Sequence, residues 1–190
     1  MPPIVKITKN DIIQTALNLI RANGIDAVNA RSIASALGCS TQPIFSNFSS
    51  MEELDEAVTV AAYQLYFDFL RRETESGKYP QYKSFGMAYI RFADDEKELF
   101  KLLFMRDRRG EDLTPTSDFE SSVEIIMSSC RVTHDIATLI HMENWAFVHG
   151  IGTMLATSFL TLDWELISTM LSDVYLGIRA RYLSVKEVES

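Results

Sequence analysis

The fold is decided by Ile7 to Leu54, ITKNDIIQTALNLIRANGIDAVNARSIASALGCSTQPIFSNFSSMEEL. Apolar residues recur there at helical spacing, and tight connections separate the runs, which predicts three short helices and the start of a fourth. One connection, Leu37-Gly38-Cys39-Ser40, has the length found in a helix-turn-helix. In that motif the second helix lies in the major groove of DNA. The stretch therefore predicts sequence-dependent DNA binding.

Capping residues set the predicted ends of these helices. Glycine ends the first helix at Gly24 and the second at Gly38, where a left-handed backbone costs least. Asp11 and Glu53 are expected to complete capping boxes. Pro43 falls in the first turn of the third helix, where its missing N–H does no harm. The expected N-cap residues are Thr8, Asn29, Ser40 and Ser50.

The rest of the chain continues the helical pattern, and alternating strand-like runs are absent. We therefore predict an all-α fold of about nine helices. A helix-turn-helix DNA-binding domain is expected over residues 1–53, and a larger helical domain for ligand binding and dimerisation over 54–190. The later helices are predicted at about 51–75, 81–93, 96–105, 118–131, 134–160 and 164–183, with a charged loop over 106–118.

Charge and hydropathy narrow the class of protein. The net charge of −8 argues against indiscriminate binding to nucleic acid. The first 55 residues are nearly neutral, with four basic against five acidic side chains. No apolar run reaches the eighteen or so residues of a membrane span. The first residues, MPPIVKITKND, lack a secretory apolar core, so we expect a cytoplasmic protein.

The sequence offers little for metal binding or catalysis. Cys39 and Cys130 form no C-x-x-C pair, so a zinc site is not expected. Cys39 is either a small packed residue or a redox-sensing thiol. The histidines are His134, His141 and His149, whose spacing on one helix places them about 10–12 Å apart, too far for one ion. With no nucleophile elbow, P-loop or dinucleotide fingerprint, we predict no enzymatic activity, no metal and no cofactor.

Three segments together resemble the DNA-binding domain of the TetR family of bacterial transcriptional regulators. They are I-x-x-A-L-x-L-I-x-x-N-G in the first helix, R-S-I-A-S-A-L-G in the second, and S-T-Q-P-I-F-S-N-F-x-x-x-E-E-L after it. A further segment, ENWAFVHGIGTML at 143–155, looks like the Trp…Val-His-Gly segment of one group of these regulators. The resemblance implies an all-helical homodimer that pairs through its last two helices and binds a small molecule.

The sequence departs from the family pattern near the recognition helix. Met51 stands where the family usually has a basic residue, and Phe45 and Asn47 replace the usual Tyr and His. The phosphate-binding hydroxyl of the Tyr is therefore lost. Because the recognition helix also has no Lys or Arg, we expect DNA affinity to depend only weakly on salt.

Outward residues of the recognition helix are expected to contact bases and phosphates. Gln and Asn pair with adenine, and Thr or Pro touches a thymine methyl group. Gln42 and Arg31 are expected to specify sequence. The residues expected to position the protein are Thr8, Lys9, Thr41, Phe45 and Ser50. The alternative is that Gln42 and Asn47 are merely solvated. The expected DNA contacts are Thr8, Lys9, Arg31, Ser40, Thr41, Gln42, Pro43, Phe45, Ser46, Asn47 and Ser50.

The middle and end of the chain suggest an effector site and a dimer interface. Helices eight and nine are more apolar than one solvent-facing surface needs, which suits a homodimer, although packing within the chain explains part of this. Aromatic residues suit a cavity for a hydrophobic or aromatic effector, although each is also a candidate for the core. The expected effector contacts are Tyr66, Tyr89, Phe92, Phe104, Trp145 and His149.

The sequence thus predicts a ligand-responsive transcriptional regulator, most often a repressor in this family. It would bind a palindromic DNA operator as a homodimer and be released by a small effector. The alternative is a helical interaction or sensor protein of the same fold with weak or lost operator binding.

Overall fold

The computed structural model describes residues 7–107, 109 and 117–184. Within these residues the chain forms nine α-helices, a 3₁₀ turn at Ile25–Ala27 and no strand, so the predicted all-α fold is confirmed. The helices are α1 (Lys9–Asn23), α2 (Ala30–Ala36), α3 (Gln42–Asn47), α4 (Met51–Glu75), α5 (Gln81–Asp95), α6 (Lys97–Phe104), α7 (Ser117–Cys130), α8 (His134–Ala156) and α9 (Trp164–Ser184). Most of the predicted 106–118 loop lies outside the described residues.

Local capping determines where the first two helices begin. The Thr8 hydroxyl oxygen accepts the Asp11 N–H at 3.2 Å, and the Asp11 carboxylate accepts the Thr8 N–H at 2.9 Å. The Asn29 side-chain oxygen accepts the N–H groups of Arg31 and Ser32, both at 3.0 Å. These bonds satisfy donors that a helix start leaves free. Both predicted N-caps are confirmed.

The predicted cap of α3 is wrong. Thr41, not Ser40, precedes the helix, and its side chain makes no capping hydrogen bond. The carbonyl of Thr41 already accepts the N–H groups of Ile44 and Phe45, at 3.1 and 3.3 Å. Ser40 therefore lies one residue too early to cap the helix.

The predicted end of α8 at residue 160 is also wrong, because the helix ends at Ala156. Ser158 adopts a left-handed backbone with φ 56°. The N–H groups of Ser158 and Phe159 then bond back to the carbonyls of Leu155 and Met154, each at 2.9 Å. This is a Schellman ending with serine where glycine is usual.

The helices form two compact units. Of the described residues, the first contains those up to Phe67 together with Glu96–Arg106, and the second contains Asp68–Asp95 together with those from Asp107 onward. In the first unit, α1 packs against α2, α3 and α6. Its fully buried side chains include Ile12, Leu17, Ile20, Ile33, Leu54, Leu99, Phe100 and Leu103. The functional boundary expected at residue 53 stays a prediction.

The second unit is built from α5, α7, α8 and α9. A Cβ atom at Gly86 on α5 would lie 3.0 Å from the side chain of Leu171 on α9, so glycine permits this close approach. One core cluster contains Met87, Ile90, Ile151, Leu155, Ile167 and Leu171. The other contains Val123, Ile126, Cys130, Val132, Ala137 and Ile140. Among the described helices, none is long and apolar enough to cross a membrane.

Candidate nucleic-acid interface

The third helix has one buried face and one open face. Ile44 and Phe48, four residues apart, are buried in the first unit. Gln42, Phe45 and Ser46 lie on the opposite face, at positions i, i+3 and i+4, and all are exposed. These three residues form what we name the α3 outer face. A helix that packs in this way has a free surface for the major groove.

Two polar side chains of α3 are bonded to the helix itself. The Ser46 hydroxyl donates to the Gln42 carbonyl at 2.9 Å. The Asn47 amide donates to the carbonyls of Pro43 at 2.7 Å and Ile7 at 3.4 Å. Pairing with adenine needs a free donor and a free acceptor on one side chain. Among the residues that the structure describes, Gln42 keeps both groups available, whereas Asn47 keeps only its oxygen.

The expected phosphate contact at Lys9 is already in an ion pair. Its ammonium lies 3.1 Å from the Glu53 carboxylate and over the ring of Phe48, 4.8 Å from the ring centre. Glu53 also accepts the N–H and hydroxyl of Ser49, at 2.6 and 2.7 Å. These hydrogen bonds, with that from Lys9, lower the pKa of Glu53 to about 2. At neutral pH Glu53 is therefore ionised, and its carboxylate offsets part of the Lys9 charge at this exposed site.

The sequence anticipated Glu53 as a capping residue but not this ion pair. The Ser50 hydroxyl does accept the Glu53 N–H at 3.3 Å, as expected of the N-cap of α4. The carboxylate turns one residue further back, to Ser49. No spacing rule connects residues 9 and 53, because their contact depends on how α1 and α4 lie in the first unit.

Arg31 remains available for DNA. It lies exposed in the first turn of α2, and its guanidinium has no carboxylate within ion-pair distance in the described part of the chain. Ser40 is also exposed, Thr41 and Pro43 are half-buried, and Thr8 is bonded to Asp11. The expected DNA contacts therefore differ in how free their polar groups are.

Three of the expected effector contacts lie together in the second unit. The Tyr89 hydroxyl is 2.8 Å from Nδ1 of His149. The His149 ring stacks on Trp145, with 5.1 Å between ring centres and 16° between planes. Burial lowers the pKa of His149, which favours a neutral ring. In the tautomer with its proton on Nε2, Nδ1 accepts a hydrogen bond from the Tyr89 hydroxyl. Trp145 is 42% exposed.

The other three expected effector contacts lie elsewhere. Phe92 is fully buried in the second unit and meets the edge of Phe69 at 5.3 Å between ring centres. Tyr66 and Phe104 belong to the first unit and pack edge to face, 5.1 Å apart. The six residues are thus divided between the units.

Sequence reasoning missed a second polar group inside the second unit. The Tyr82 hydroxyl lies 3.0 Å from Nδ1 of His141, and the Cys130 thiol lies 3.5 Å from the Tyr175 hydroxyl. Burial lowers the pKa of His141 to about 4 and raises that of Tyr82. In the described ranges no three His, Cys, Asp or Glu side chains are arranged to hold a metal ion. Partners 59 and 45 residues apart leave no local signal in the sequence.

Comparisons with known proteins match both the first unit and the whole fold. The model for bacterial regulatory proteins of the TetR family matches residues 12–58. A protein of unknown function from Rhodococcus sp. RHA1 has a similar structure, with a TM-score of 0.75, 18% identity, and 93% of this chain and 98% of that one covered. A putative TetR family transcriptional regulator from Vibrio parahaemolyticus gives a TM-score of 0.61 and 13% identity, with 89% and 97% covered. No curated protein matches the sequence.

Proposed function

Given that this chain is a TetR family transcriptional regulator by its N-terminal domain, we propose that two copies bind a palindromic DNA operator and that a small molecule releases them. The observation that carries this proposal is the α3 outer face. A helix with Ile44 and Phe48 buried beneath it presents Gln42, Phe45 and Ser46 outward. A free helix face of this kind fits the major groove.

Gln42 is the side chain best placed to specify a base. It is exposed, and its amide offers the donor and acceptor that match the edge of adenine. Arg31 supplies an exposed cation from the start of α2 for a guanine or a phosphate. The expected contacts that carry a hydroxyl group position the protein on the phosphates.

The homodimer is supported by the surface of α8 and α9. We name the exposed apolar residues of these helices and their connection the α8–α9 surface: Leu139, Met142, Trp145, Phe159, Leu160, Leu166 and Leu176. Phe159 is 74% exposed. Cβ atoms at Gly150 and Gly177 would meet nothing within 4 Å, so a second backbone can approach there. An apolar area of this kind is typical of a surface that another chain covers.

Effector binding is supported by the Tyr89, His149 and Trp145 rings. They combine apolar area with polar groups that can orient a small aromatic or hydrophobic molecule. In the proposed mechanism the effector prefers a conformation in which α4 has shifted and the two α3 helices no longer match the groove spacing. The effector can shift the balance between the two conformations only by the difference between its binding free energies for them. Repression is the expected outcome of operator binding.

A selection from random duplex DNA tests the proposal. We expect enrichment of a palindrome whose half-sites lie about 34 Å apart, one helical turn, or a multiple of that distance. Gln42→Ala should then reduce discrimination at one base pair by about 1–3 kcal/mol. Recovery of no common sequence would contradict operator binding, and unchanged discrimination would exclude Gln42.

The second candidate function is a helical sensor that has kept this fold with weak or lost operator binding. The ion pair between Lys9 and Glu53 favours it, because it removes a cation from the expected DNA surface. A second cation of the family pattern is also missing, because Met51 stands where the family usually has a basic residue. The same selection separates the two functions, since a sensor of this kind enriches no sequence.

A further inference from the structure

We propose that Phe45 recognises the C5-methyl group of a pyrimidine in each half-site, so that an apolar contact sets specificity at one base pair. This inference rests on the proposed operator binding and names the chemistry of one contact within it.

Phe45 occupies the open side of the recognition helix. Its side chain is 53% exposed, although the neighbouring Ile44 is buried. It lies one helical turn from Gln42 and beside Ser46 on the α3 outer face. When this face enters the major groove, the ring of Phe45 is carried in with Gln42.

The ring cannot serve the usual polar contacts to DNA. Phenylalanine has no donor or acceptor, so it forms no hydrogen bond with a phosphate oxygen or a base edge. The apolar feature of the major groove is the C5-methyl group of thymine, and phenylalanine is among the side chains that contact it. Cytosine presents the same group only when it is methylated at C5.

The polar side chains next to Phe45 do not interfere with a contact between its ring and a methyl group. The Ser46 hydroxyl donates to its own helix, and the Asn47 amide donates to the Pro43 carbonyl. Because these two donors are already bonded within the helix, neither requires a bound water molecule between the Phe45 ring and a base. The α3 outer face thus combines one polar contact, at Gln42, with one apolar contact, at Phe45.

Replacing thymine by deoxyuridine tests the contact, because deoxyuridine lacks only the C5-methyl group. Each thymine of the selected operator is replaced in turn, symmetrically in both half-sites. We expect one position at which affinity falls about fourfold per methyl group, or about fifteenfold for both half-sites. Phe45→Ala should bind the two duplexes equally, whereas Phe45→Leu should retain part of the preference.

A matched variant controls for the loss of an exposed apolar side chain. Val60 lies on α4 in the same unit and is 69% exposed. Val60→Ala should keep the full preference for thymine over deoxyuridine. Circular dichroism of each variant checks that the helices are retained.

Cytosine and 5-methylcytosine at the same position complete the experiment. Tighter binding to 5-methylcytosine than to cytosine supports methyl recognition, and equal binding contradicts it. If the protein binds the operator with thymine more tightly than the one with 5-methylcytosine, thymine is the natural source of the methyl group. The reverse order identifies 5-methylcytosine as that source.

Two results overturn the inference. In the first, no replacement of thymine by deoxyuridine in the operator weakens binding. In the second, the Phe45→Ala variant still prefers thymine to deoxyuridine. Either leaves operator binding itself intact. Failure to select any operator is a different result, which removes the proposed function and this inference with it.

Discussion

The two compact units differ in how deeply some of their polar pairs are buried. In the first unit, polar pairs such as Thr8 with Asp11 and Ser49 with Glu53 lie at exposed helix starts, and the pair of Lys9 and Glu53 between two helices is also exposed. In the second, they lie between helices, as between Tyr82 and His141. Large exposed apolar side chains are scattered in the first unit, whereas in the second they concentrate on the α8–α9 surface.

This difference supports the partner that we propose for each unit. Surface polar groups hold short helices in place and leave the α3 outer face open toward a polar, charged partner. A concentration of exposed apolar side chains, such as the α8–α9 surface of the second unit, characterises a surface that another chain covers. DNA suits the first arrangement, and a second copy of the chain suits the other.

The largest expected effect comes from placing charge on the α8–α9 surface. Leu139, 50% exposed, and Leu176 are replaced together by Glu. If the surface is buried in a dimer, the unpaired charges cost about 3–5 kcal/mol, which weakens self-association at least about a hundredfold. Sedimentation equilibrium measures the change. Val60→Glu, in the first unit, is the control and should leave self-association unchanged. If the double variant associates as strongly as the parent, the α8–α9 surface is not the dimer interface.

The next effect concerns the polar group inside the second unit. His141 is neutral in the folded protein because burial lowers its pKa from 6.5 to about 4. The unfolded chain binds a proton below about pH 6.5, so this contribution to stability is complete above that pH and declines as the pH falls to 4. The loss amounts to about 3 kcal/mol.

Urea unfolding at several pH values measures this effect. His141→Gln keeps an acceptor for the Tyr82 hydroxyl but does not titrate, so its stability should fall less between pH 6.5 and 4. His134→Gln, at an exposed histidine, should follow the parent. A parent and a His141→Gln variant with the same pH dependence would show that His141 is not held neutral.

The smallest effect concerns the surface polar groups of the first unit. Glu53→Gln keeps an acceptor for Ser49 but releases Lys9. We expect severalfold tighter operator binding and a logarithmic salt slope steeper by about 0.9 for each subunit, because Lys9 can then neutralise a phosphate. Glu52→Gln removes an equal charge without freeing Lys9. If both variants behaved alike, net charge rather than Lys9 would explain the gain.

The same contrast explains how much of the molecule was predictable from sequence. The start of α1 at Thr8, the start of α2 at Asn29 and the span of α4 depend on residues within one turn of each helix end, so local patterns revealed them. The end of α8 was missed because Ser158 takes the left-handed conformation that the pattern assigns to glycine.

Contacts between distant residues could not be predicted in this way. The pair of Lys9 and Glu53 and the pair of Tyr82 and His141 depend on packing between helices. The six expected effector residues shared only their aromatic or polar character, and the fold divides them between two units. The α3 outer face was largely predictable, because helical spacing alone separates Ile44 from Phe45.

The central claim is that two α3 helices, fixed by one dimer, occupy the major groove on one side of a duplex. Inserting five base pairs, half a helical turn, at the centre of the selected operator tests it most directly, since the half-sites then face opposite sides. The account predicts that affinity falls to that of an isolated half-site. Unchanged affinity for the lengthened operator would contradict it.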